Sequence, residues 1–153
     1  VDILNKYISI QSDKPLSGDY FPPPSKSHSF RALLLSLYSD RSIIYNLLKS
    51  DDVDNFVDII NSLGFEIIRN NEKVLINKCK GEFKLNSYYN FKNSGTALRF
   101  MVTYFAISKL DTQKVLLDGD DQLKNRKIKT LLDSLLTLGL SYSFKTQKEI
   151  PFY

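Results

Sequence analysis

With 153 residues the chain has the length of one ordinary domain, and 42% hydrophobic with 25% charged residues suits a globular protein with a real core. A net charge of +4 fits anionic partners, but the lysines are dispersed and no apolar run approaches the roughly 20 residues that cross a bilayer. The single cysteine, Cys79, excludes an internal disulfide and a multi-cysteine zinc site, and it reads as a buried or idle thiol.

The opening "VDILNKYISI" has no basic stretch ahead of a long apolar core, so no secretory leader is expected and a cytoplasmic location fits. "LSGDYF" (16–21) then predicts a short strand and "SKSHSFRALLLSLY" a helix. "SIIYNLL" predicts a strand on its β-branched and aromatic residues. "DDVDNFVDIINSLG" sets Val53, Phe56, Val57, Ile60 and Leu63 at helical spacing, and Gly64 supplies the stop. "FEIIRN" and "KVLINKC", split by Asn71-Glu72, predict a hairpin. Further on, "NSGTALRFMVTYFAISKL" predicts a helix, "KVLLDG" a strand and "LKNRKIKTLLDSLLTLG" a helix ending at Gly139. "LSYSFKT" predicts a strand, and "EIPFY" resembles a last strand cut short.

The second half repeats the first. Arg31 and Arg99 lie 68 residues apart, Asp51-Asp52 and Asp120-Asp121 lie 69 apart, and Gly64 and Gly139 lie 75 apart. A duplication of roughly 70 residues with small insertions accounts for all three. In each half a Ser-rich helix start carries an Arg one turn inside, with Ser27 and Arg31, and Gly95 and Arg99, four residues apart on one face. Free backbone amides and the positive end of the dipole favour an anion at such a start, and Arg adds a forked cation for phosphate or carboxylate. The plainer alternative makes Ser25 and Ser94 ordinary caps and leaves the arginines to solvent.

"PPPSKSHSFRALLL", "LLKSDDVDNFVDIINSLG", "NSGTALRFM" and "DGDDQLKNRKIKTLLDSLLTLG" come in order between about residues 16 and 153. Together they resemble the enolpyruvyl transferases, and within them the 5-enolpyruvylshikimate-3-phosphate synthase family. The sister family that makes the enolpyruvyl ether of UDP-N-acetylglucosamine is less similar, because its first motif pairs Lys with Asn.

The resemblance implies an α/β fold of tandem βαβαββ units, an inside-out α/β barrel, with two three-unit domains enclosing the site. It places 1–15 with an absent second domain, 16–81 as a first unit and 82–153 as a second, truncated one. It implies transfer of the enolpyruvyl group of phosphoenolpyruvate to shikimate 3-phosphate, a step of aromatic amino acid biosynthesis, without metal or organic cofactor. Lys26 would touch both substrates as the catalytic residue, oriented by Asp52. Ser27 and Arg31 would hold shikimate 3-phosphate, and Asn93, Gly95, Thr96 and Arg99 phosphoenolpyruvate, while His28 would face away.

Three departures stand out. Pro24 replaces the family's usual Gly, Gln122 replaces the Arg that grips phosphoenolpyruvate, and two of six units are present, so the chain alone is expected to be inactive. A rival reading is a non-catalytic basic module holding RNA or another phosphorylated partner. The absence of an interleaved aromatic-and-basic stacking motif argues against nucleic acid.

Overall fold

The computed structural model describes residues 15, 17–70, 72–79, 85–108 and 114–153. Ser25 opens α1 (Lys26–Ser36), which turns the buried side chains of Ser29, Phe30, Leu33 and Ser36 inward. Strand β1 (Arg41–Tyr45) follows and ends at Asn46, whose φ of 54° reverses the chain. Helix α2 (Asp51–Ser62) is capped by Ser50, and Asp51, Asp52 and Asp54 in its first turn complement the positive end of its dipole. The six apolar residues from Val53 to Leu63 are all buried, and Gly64 (φ 96°) provides the left-handed exit.

Strands β2 (Phe65–Arg69) and β3 (Lys73–Lys78) form the anticipated hairpin. Asn70 Oδ1 accepts from the Glu72 and Lys73 amides at 3.1 and 2.8 Å, so a side chain shapes the turn. Strand β3 lies between β1 and β2 and runs antiparallel to both, which leaves β1 and β2 parallel to each other across the α2 crossover.

In the second half, β4 (Tyr88–Asn90) leads into α3 (Gly95–Ser108) and then β5 (Leu116–Asp118), which pairs with β4 in parallel. Two short helices, α4 (Asp121–Lys124) and α5 (Lys129–Leu135), precede a 3-10 turn at Leu136–Leu138 and Gly139 in the left-handed region. Buried side chains of both halves form one core, in which Phe30 of α1 meets Phe56 of α2 edge-on at 5.5 Å.

Four expectations need correction. Residues 17–21 form no strand, and Leu16 lies outside the described residues. The single helix expected up to Gly139 is broken at 125–128, where long-range hydrogen bonds take over the turn. The strands expected in "LSYSFKT" and "EIPFY" shrink to isolated bridges of Phe152 with Leu117 and with Phe144. The strand that the repeat calls for ahead of the second helix start is present as β4, three residues long. Cys79 is exposed, so of the buried and idle alternatives the buried one falls. Residues 1–14 lie outside the description, and among the described residues no helix is long and apolar enough to cross a membrane.

Candidate functional site

At the start of α1, Ser25 Oγ accepts the His28 amide at 3.3 Å, so this serine is an ordinary cap and the exposed Ser27 hydroxyl is the one left to solvent. Lys26 Nζ ion-pairs with Asp52 Oδ2, with 51% and 23% of the two side chains exposed. Asp52 arrives there because the buried Ser29 Oγ accepts the Leu48 amide at 3.1 Å and pins the loop that leads to Ser50 and α2. The sequence reading passed over Ser29, although it shares the inward face with Leu33 four residues on. Arg31 folds back on its own helix, donating from Nη1 to the Ser27 carbonyl at 3.0 Å.

The start of α3 repeats these bonds. Ser94 Oγ accepts the Ala97 amide at 3.3 Å, and Arg99 Nη1 donates to the Gly95 carbonyl at 3.0 Å. Arg99 also donates from Nη2 to the Lys127 carbonyl at 2.7 Å, which draws the turn after α4 over this helix start. A Cβ at Gly95 would stand 2.7 Å from Arg99 Nη1 and 3.0 Å from Arg126 Nη1. Two guanidiniums therefore converge above Gly95. Arg99 spends two donors on backbone carbonyls, while Arg126 makes no side-chain hydrogen bond or ion pair among the described residues. Like charges this close, with donors to spare, suit an anion between them.

Beside them, Asn93 Oδ1 is buried without a hydrogen-bond partner among the described residues. The backbone beneath is braced by Phe91 N to Asp118 O and Asp120 N to Lys92 O, both at 2.9 Å. Gly119 permits that contact, because a Cβ there would lie 2.6 Å from the Lys92 carbonyl oxygen. Thr96 is exposed near the helix start, and Gln122 is exposed on α4. Arg126 lies beyond the end of α4 at Lys124, so it shares no helix face with Gln122, yet it is the side chain that reaches Gly95.

The two starts are neighbours. Arg31 Cζ lies 6.0 Å from the centroid of Phe100, the residue after Arg99, and Asn55 Nδ2 of α2 donates to the Asn90 carbonyl of β4 at 3.1 Å. A recess of about 540 Å³ lined by Lys124, Lys145, Lys148 and Pro151 includes none of the residues named for the site.

The family model for EPSP synthase (3-phosphoshikimate 1-carboxyvinyltransferase) matches residues 10–152, which include both helix starts. The chain belongs to the EPSP synthase family. It is 38% identical over 152 residues to the 3-phosphoshikimate 1-carboxyvinyltransferase of Chlamydia muridarum, an alignment covering 97% of this chain and 34% of that protein. The corresponding protein of Methanobrevibacter smithii is 32% identical, over 87% of this chain and 30% of its own length. The chain thus spans about a third of the length of the curated relatives it matches. EPSP synthase from Acinetobacter baumannii superposes with a TM-score of 0.73 at 20% identity, covering 88% of this chain and 31% of that one. The anticipated α/β fold of this family stands. The two arginine-bearing helix starts are brought together by packing of α1 against α3.

Proposed function

We propose that the chain is part of a 3-phosphoshikimate 1-carboxyvinyltransferase that moves the enolpyruvyl group of phosphoenolpyruvate to the 5-hydroxyl of shikimate 3-phosphate, releasing phosphate. Residues 16–81 are read as one unit of the βαβαββ type, here without its first strand, and 82–153 as the next, truncated at its end, with 1–15 assigned to a second domain. The observation that carries this is the pair of adjacent cationic helix starts, one with Lys26, Ser27 and Arg31 and one with two guanidiniums over Gly95.

Two phosphorylated substrates held side by side need two such starts. Ser27 and Arg31 take the phosphate of shikimate 3-phosphate. Arg99 and Arg126 take the anionic groups of phosphoenolpyruvate above Gly95, where the lack of a Cβ lets the ligand approach, and Asn93 and Thr96 line that side. Gln122 offers an uncharged amide there. Lys26, held by Asp52, stands where it can neutralise charge on both substrates. The chain thus supplies binding and charge neutralisation.

The test is made in the whole protein by following phosphate release from the two substrates. Arg31→Ala should weaken shikimate 3-phosphate binding about tenfold or more, within the range for truncating a charge-assisted contact. An unchanged dissociation constant by calorimetry would remove Arg31 from the site. RNA binding without turnover would favour the non-catalytic module instead.

A further inference from the structure

Glu149 lies outside every helix and strand, 20 residues beyond Lys129. Its Oε2 accepts from the amides of Ile128 and Lys129 at 2.6 and 2.7 Å, and its Oε1 stands 3.4 Å from Lys127 Nζ. Helix α5 needs this, because its N-cap is Ile128, which has no side-chain acceptor. The carboxylate also stands at the positive end of that short helix, and only 18% of its side chain is exposed.

The turn so fixed is the one that carries both guanidiniums. Lys127 gives its carbonyl to Arg99 Nη2 at 2.7 Å, and Arg126 precedes it in the chain. Among the described residues Glu149 makes no hydrogen bond or ion pair with either arginine. Its bonds hold the backbone on the C-terminal side of Arg126 and the residue whose carbonyl anchors Arg99. We propose that Glu149 is a positioning residue for the anion site above Gly95, setting the separation of Arg99 and Arg126 through the 126–128 turn. This rests on the reading of that site as the phosphoenolpyruvate side of the transferase.

A brace that served folding alone would lower stability and alter both substrates' kinetics by one common factor. A positioning role acts on one substrate. In the whole protein, Glu149→Ala should raise the KM for phosphoenolpyruvate about tenfold while the KM for shikimate 3-phosphate stays within about twofold. Glu149→Gln keeps an oxygen acceptor of the same reach for the two amides and should recover most of the loss. Combining Glu149→Ala with Arg126→Ala should cost less than the product of the two single effects, because both act through one guanidinium.

If the alanine variant does not fold, the glutamine variant decides, with a rise of about threefold confined to phosphoenolpyruvate. Wild-type turnover with no selective change in either Glu149 variant, or with equal changes for both substrates, would overturn the inference and leave the transferase reading intact. No turnover in the wild-type protein would overturn the transferase reading, and the inference with it.

Discussion

At Gly95 two guanidiniums occupy space that a methyl group would contest, and Arg126 is the one with no side-chain partner among the described residues. Its position bears on Gln122, whose amide offers neither charge nor a fork to an anion. If Arg126 supplies the missing cation, Gln122→Arg in the whole protein should leave the KM for phosphoenolpyruvate nearly unchanged. Arg126→Ala should raise it about tenfold or more, the scale of a lost charge-assisted contact, with little effect on shikimate 3-phosphate. Steady-state kinetics with each substrate varied in turn makes the measurement. A several-fold fall in KM from Gln122→Arg, with Arg126→Ala silent, would instead show Gln122 as an uncompensated deficit. Ser27 with Arg31 and Gly95 with Arg99 were nameable from the sequence because each pair lies in a motif that recurs about 68 residues away, whereas Lys26 was named only through the resemblance. Arg126 is nameable there only as a cation four residues from Gln122, beside Lys124 as a second candidate, and its reach over Gly95 is not legible. A helical-face argument from Gln122 fails once α4 ends at Lys124, and only the bond from Arg99 to the Lys127 carbonyl brings that turn over Gly95.

Among the elements, α1 and α2 were readable from local chemistry alone, since each has a serine cap, an apolar stripe and a defined end. The start of α5 was not, although its residues lie inside the expected helix, because nothing between Leu123 and Gly139 breaks a helix by propensity. The break at 125–128 is imposed from a distance by Arg99 and Glu149, and sequence patterning has no access to partners 20 or more residues away. The expected strand at "LSYSFKT" failed for a related reason, since Phe144 finds only an isolated bridge to Phe152. That long-range dependence makes α5 sensitive to acid. The amides of Lys129 and Ile128, and then Lys127, hold the Glu149 carboxyl below the ordinary glutamate range, while Lys129 and Tyr142 lower Asp133. Groups with depressed folded values give stability that is present above the ordinary carboxyl pKa and lost as the pH falls through the folded value. The Tm should therefore decline as the pH drops below about 4.3. Glu149→Gln should lower the Tm at neutral pH and flatten that acid limb in part, leaving the Asp133 contribution. Thermal melts from neutral pH into the acid range check this, and an undiminished acid slope in the variant would mean that Glu149 is not a titrating group.

For the whole molecule, the decisive feature is that the two halves share one core while large apolar side chains stay outside it. Leu35 on α1 and Ile107 on α3 are 68% and 52% exposed, and Leu136 and Leu138 after α5 are also exposed. Single exposed leucines are ordinary, but exposure repeated on every long helix-bearing segment of the second half and on α1 is a burden for a chain spanning about a third of its relatives. Each such side chain gains roughly 1.5–3 kcal/mol when fully covered, enough in combination to drive association. The 153 residues expressed alone should therefore self-associate, with an apparent mass by light scattering that climbs with concentration, and should show no turnover. Leu35→Lys together with Ile107→Lys should reduce that association without loosening the core, because neither side chain belongs to the buried cluster. In the whole protein the same pair should lower the Tm, since there the substituted faces would have to be buried. A monodisperse monomer at high concentration, with the double variant neutral in both contexts, would mean that these faces are solvent surface throughout and that the two repeats form a self-sufficient domain.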